Sequence, residues 1–349
     1  MPISLFALFL FIFLGVDTPV RAQLIFPGTT ADLSLTAEPQ NPGPNSSVRL
    51  SVKSVLLDLE RSAITWYANG VVIGSGVGVS ETSVVTGPLG TETLVRVETR
   101  GEDQSASATG VFRPTEIDLL WEADSYVPPF YRGRALPSAG SNVRFFAVPR
   151  FKRVGGTSLV SPDDLIYTWK KGGKIIQSIS GRGQHSVTFE APTLLGPDTI
   201  SVDVRTTDGV LQDSSSVRIP SVEPLLVLYE NHPVFGILYH RALESPATVP
   251  EVETTFSVVP YFAPIQNPDD NSLVYKWQVG NTSIPSNPTY PSAITINAEG
   301  TSGLARIQLA ITHISNFFMR ARGSWDVTLS GVSPSSAASP FTDPFTDTQ

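Results

Sequence analysis

LIYTWKKGGK, at 165–174, reads as a short strand with a Trp near its centre, closed by a Gly-Gly turn. The pattern occurs twice more, as ITWYANG at 64–70 and LVYKWQVGNT at 273–282. Trp66, Trp169 and Trp277 stand 103 and 108 residues apart, the length of one small domain. The surroundings repeat as well. A β-rich run precedes each Trp: VRLSV at 48–52, VRFFAVPRF at 143–151 and TFSVVPYF at 255–262. Pro-Asp-Asp leads into the second and third Trp strands, at 162–164 and 268–270.

Downstream of each Trp lies an alternating strand. Val95 and Val97 alternate with Arg96 and Glu98. Ile200, Val202 and Val204 alternate with Ser201 and Asp203, and Ile307, Leu309 and Ile311 with Gln308 and Ala310. Period-2 alternation marks a strand with one buried and one wet face. Clusters such as NPGPN at 41–45 and NPDDN at 267–271 supply the turns between strands. No strong helical period runs through the chain, although Val55–Arg61 or Asn316–Arg322 could make a short helical turn. The expected fold is therefore all-β, three tandem β-sandwiches at 31–113, 114–220 and 221–331. Trp66, Trp169 and Trp277 are their expected structural core.

The Trp strands and the opening LSLTAEPQNPGPNSSVRLSV at 33–52 resemble tandem immunoglobulin-like or PKD-like β-sandwich domains of bacterial exported or cell-surface proteins. The chain lacks the immunoglobulin Cys pair and the Gly-Asp-Gly turn of PKD domains. The resemblance implies spacing, adhesion or protein binding rather than catalysis.

The 349 residues include 24 Lys plus Arg, 32 Asp plus Glu and no Cys, with a formal charge of −8. That charge argues against nucleic-acid partners, which select basic patches. Without Cys there are no disulfides, thiolate metal sites or Cys nucleophiles. Residues 3–14 form an apolar run too short to span a bilayer comfortably, and Val20-Arg21-Ala22 fits a small-residue cleavage step. Residues 1–22 thus read as a signal peptide, followed by a short leader at 23–30. The expected location is secreted or cell-surface. The alternative is an N-terminal membrane anchor, so that a membrane is touched only through this segment. The Ser/Pro/Thr-rich stretch at 332–349 reads as a disordered tail.

Two further segments resemble one another: EIDLLWEADSYVPPFYRGRAL at 116–136 and EPLLVLYENHPVFGILYHRAL at 223–243. The first sandwich has no counterpart, so each segment is assigned to a junction between units. Trp121, Tyr126, Tyr131, Tyr229 and Tyr239 are the ligand candidates there, since sugar rings stack on exposed aromatic faces. The competing reading makes the same residues the first strand of each unit and the packing of the joint.

Asp163, Asp164, Asp269 and Asp270 are weak Ca²⁺ candidates, because Ca²⁺ takes hard oxygen ligands from loops. No other cofactor is expected. The four histidines lack metal-ligand spacing, and no Gly-x-Ser-x-Gly elbow occurs. The expected function is a non-enzymatic surface or extracellular interaction and spacer protein with a protein or cell-surface glycan partner. The alternative is a carbohydrate-binding protein that uses the junction aromatics, and an enzyme subunit is the third possibility.

Overall fold

The structure is a computed structural model that describes residues 33–102, 104–192, 196–249 and 253–330. The expected signal peptide, leader and Ser/Pro/Thr-rich tail lie outside the described residues.

Among the described residues, alternation of apolar and polar residues builds six sheets, and they enclose three separate hydrophobic cores. In the first sandwich, Leu33–Glu38, Ser47–Ser54 and Glu81–Val85 form one sheet. It faces a second sheet in the order Val71–Val77, Ala63–Ala68, Thr93–Arg100, Ser105–Phe112. The second sandwich repeats this plan. Ser186–Glu190, Asn142–Arg150 and Glu116–Asp124 face a sheet centred on Ile166–Lys171, Gly196–Arg205 and Gln212–Ser221. In the third, Leu225–His232, Glu253–Tyr261 and Ala293–Asn297 gain an edge strand, Gly236–Ala242. They face Arg320–Ser330, Ser302–His313 and Leu273–Val279. Neighbouring strands in these lists run antiparallel.

The three Trp strands occupy the same place in each sandwich, paired with the long alternating strand of their own unit. Trp66 lies opposite Val97, Trp169 opposite Val202 and Trp277 opposite Leu309. The indoles are 0%, 0% and 1% exposed. Each ring donates its single N–H to a main-chain carbonyl further along the chain. Trp66 reaches Val79 at 2.8 Å, Trp169 reaches Gln184 at 2.8 Å and Trp277 reaches Pro291 at 3.0 Å. A buried indole is thereby left without an unmet donor.

Neither short helical turn forms. Ser54 Oγ accepts from the N–H groups of Leu56 and Leu57, and Asp58 Oδ1 from that of Glu60. His313 Nδ1 accepts from the N–H groups of Ser315 and Asn316. Side-chain acceptors thus hold the donors a helix would use. Among the described residues the only helical pieces are 3₁₀ turns at Pro162–Asp164 and Gln177–Ile179.

Three sandwiches do not make three compact units. The chain divides into two: Met1–Pro114 with Arg153–Gly156, and Thr115–Lys152 with Thr157–Gln349. The second and third sandwiches belong to one unit.

Trp169→Ala or Trp277→Ala removes a fully buried indole and strands a carbonyl. Each should cost about 3–5 kcal/mol in denaturant unfolding of the chain. A loss below about 1 kcal/mol, the scale of an ordinary surface change, would show that the indole is not central to its core.

A second outcome concerns Asp213. Burial and the negative charge of Glu116 push its carboxyl up to about 6, against the Ser214 N–H and the Thr115 hydroxyl, which favour the charged form. The folded chain therefore keeps a proton that the unfolded chain has already lost. Stability falls as pH rises from the ordinary value of 3.8 to about 6. Asp213→Asn should flatten that limb of the thermal midpoint against pH, and an unchanged slope would refute the assignment.

Candidate functional site

The Pro-Asp-Asp loops do not build a cation site. Asp164 Oδ1 accepts from Arg182 at 2.6 Å, while Asp163 lies 3.7 Å from His185 Nδ1. Asp269 Oδ1 accepts from the Ser292 N–H at 3.0 Å. Asp270 Oδ1 accepts from the Ser272 hydroxyl at 2.7 Å and its N–H at 2.9 Å, and these bonds hold the carboxyl below its usual range. Three of the four carboxylates thus answer protein donors, and the two pairs lie in separate sandwiches instead of converging as the six to eight oxygens of a Ca²⁺ cage. Among the described residues no group of three His, Asp or Glu side chains could hold a metal.

What the loops do is anchor the core tyrosines. The Tyr167 hydroxyl donates to the Pro162 carbonyl at 3.0 Å, and the Tyr275 hydroxyl donates to the Pro268 carbonyl. Burial and the adjacent carboxylates raise both phenols, Tyr167 to about 12. The first sandwich has Ile64 at this place and needs no such loop.

The junction aromatics divide. Trp121, in the strand Glu116–Asp124, packs on the second core, and the Arg134 guanidinium lies 4.5 Å from its ring centre. The other four candidates converge on one joint, although the sequence assigns them to two. Tyr126 lies close enough to Tyr239 and Tyr261 for their phenols to help raise its own. Tyr239 sits 5.6 Å from the ring of Tyr229, whose hydroxyl meets that of Tyr261 at 2.6 Å. Tyr261 in turn sits 5.6 Å from Tyr131, which also meets Phe262 at 6.0 Å. Tyr131 folds across Gly133, where a Cβ would collide with its phenol.

Main chain reinforces this cluster. The Tyr126 N–H donates to Ala263 at 2.8 Å, and the Phe262 N–H returns to the Tyr126 carbonyl at 2.7 Å. Tyr126 reaches the edge of the third core, so burial, Tyr239, Tyr261 and Asp269 drive its phenol well above the ordinary value. The segment after the second sandwich's first strand is thus clamped onto the third sandwich.

Tyr261 and Phe262 are absent from the sequence candidates, yet a signal for them exists. TFSVVPYF ends in the unbroken apolar run VVPYF at 258–262, and such a run belongs to a strand covered on both faces. Phe256 and Val258 enter the third core, while Ser257 and Val259 face away from it and are buried all the same.

No family model and no curated protein matches the sequence. Solved structures do. Clostridium thermocellum CbhA fibronectin(III)-like modules match at 14% identity and TM-score 0.26, over 54% of this chain and 93% of theirs. The three N-terminal domains of the bacteriophage RB49 Highly Immunogenic Outer Capsid protein match at 13% and 0.24, over 87% and 100%. Sidekick-1 immunoglobulin domains 1–4 match at 13% and 0.20, over 85% and 73%. At these TM-scores the matches carry no argument about this chain. No helix among the described residues is long and apolar enough to cross a membrane.

The Tyr229–Tyr261 pair gives the joint a test. Tyr261→Phe leaves the buried Tyr229 hydroxyl without that partner and should cost about 1–3 kcal/mol in thermal or denaturant unfolding. Adding Tyr229→Phe should recover most of the loss, because removing both hydroxyls leaves neither unmet. Additive losses would show that the two hydroxyls do not depend on one another.

Proposed function

We propose that this chain is a non-catalytic, exported interaction and spacer protein. The observation that supports it best is the use made of the junction aromatics. Tyr126, Tyr131, Tyr229 and Tyr239 bind one another, Tyr261 and Phe262, so that they fasten two sandwiches together. A segment joined in this way holds its two sandwiches at a fixed separation, which is what a spacer requires. The partner is a protein or a cell-surface glycan, presented to a module that carries no evident chemistry of its own.

The carbohydrate reading that relies on the junction aromatics has less support. A sugar platform needs exposed, roughly coplanar rings. Tyr131 and Tyr261 meet at 77°, and Tyr229 and Tyr239 at 59°. Trp121 is covered by Arg134 on one side and rests on the second core on the other.

Export is tested by fractionating cells that express the full chain and sequencing the N-terminus of the recovered protein. It should leave the cytoplasm and begin at or near Gln23. Membrane-bound protein with residues 1–14 intact would favour the N-terminal anchor, and a cytoplasmic pool of the uncut chain would refute export.

A further inference from the structure

An open cleft of about 540 Å³ lies where the second and third sandwiches meet, within the roughly 300–1,000 Å³ range of small-molecule sites. Its floor is one rung of the sheet in the second sandwich. Asp124 pairs with Asn142, and Asn142 pairs with Glu190, so these residues stand side by side on three neighbouring strands. Cross-strand partners share a face, and strands lie about 4.8 Å apart. The rung is therefore a carboxylate–amide–carboxylate row roughly 10 Å long. All three residues are exposed, and none of the three side chains has a hydrogen bond or ion pair within the described protein.

The opposite wall comes from the third sandwich. It carries the exposed Gln266 and the hairpin tip that follows Ser302–His313. His313 Nδ1 accepts from two main-chain N–H groups at 3.2 and 3.1 Å, which leaves Nε2 to carry the proton of the neutral ring. That capped turn presents Phe317, 86% exposed, and Phe318, 50% exposed. The tip is tied across the cleft by Asn316 Nδ2, which donates to the Ala139 carbonyl at 2.7 Å. Gly140, beside it, has φ +78°, and a Cβ there would collide with Asn316.

We infer that this cleft binds an uncharged oligosaccharide. The chemistry decides among ligand classes. Among the described residues no Lys or Arg lines the cleft, which disfavours anions. A cation, whether a metal ion or an ammonium, accepts no hydrogen bond, and would leave the amide N–H groups and the imidazole N–H unmatched. Vicinal hydroxyls both donate and accept, so they satisfy carboxylates, amides and imidazole together. A pyranose also has an apolar C–H face, which Phe317 can cover. The second groove, beside Trp277 and Tyr290, lacks this readiness. There Asn287 accepts from the N–H groups of Thr289 and Tyr290, Asn231 donates to Ser257, and Thr255 pairs with Thr295.

This site goes beyond the spacer role and does not depend on it. The test is calorimetric titration of the full chain with a panel of neutral hexasaccharides: β-1,4-gluco, β-1,3-gluco, β-1,4-xylo and β-1,4-manno. At least one should bind. Asp124→Asn combined with Glu190→Gln, and separately Phe317→Ala, should each weaken binding by roughly tenfold or more, with the thermal midpoint unchanged. Absence of heat with every sugar at millimolar concentration would overturn the inference. So would sugar binding that neither variant affects, or binding of CaCl₂ or an Arg-rich peptide in place of sugar.

Discussion

A buried indole is large, apolar and carries one donor that must be met. That constraint shapes each sandwich. Trp66, Trp169 and Trp277 fill the space between two sheets, and each needs a carbonyl 13, 15 or 14 residues further along the chain. The chain must therefore leave the Trp strand, turn, and come back beside the ring. Residues 70–79 do this through the edge strand Val71–Val77, and residues 172–184 through Gly-rich turns and a short 3₁₀ piece. The turn glycines in these returns let the chain come back to the indole.

The parts of this architecture written in one strand at a time were legible in the sequence. Ile200, Val202 and Val204 alternate with polar neighbours because one face of their sheet is wet, and burial follows that alternation. The Trp spacing located the three cores for the same reason. Relations between segments were harder to see. The likeness between 116–136 and 223–243 reports that each contains the first strand of a sandwich. It does not say where the residues after that strand go, and those from Tyr126 to Tyr131 reach the neighbouring sandwich. The Asp pairs misled in another way. Two adjacent carboxylates in a loop look the same whether they await a cation or receive N–H groups from their own turn, and only the positions of Ser272, Ser292 and Arg182 distinguish the two.

The joint also accounts for the second and third sandwiches falling in one compact unit. A strand with one wet face alternates, polar outside, as Thr93–Arg100 shows. Glu253–Tyr261 has no such alternation along Phe256, Ser257, Val258 and Val259, all of them buried. Without a cover, its outer face would present Val259, Tyr229 and Tyr261 to water. Ordering the covering segment costs roughly 1–2 kcal/mol per residue in backbone entropy. Fully burying a large apolar side chain returns about 1.5–3 kcal/mol. The segment is held by Tyr126 at the edge of the third core, by its two main-chain bonds to Ala263 and Phe262, and by the ring contacts of Tyr131, still 38% exposed, with Tyr261 and Phe262. A Gly/Ser linker of equal length would bury too little to stay ordered. In a chain without Cys, no disulfide can supplement a core of about 100 residues. The third sandwich therefore gains part of its buried surface from its neighbour, and the tyrosines that resemble a ligand platform in the sequence are the groups through which it does so.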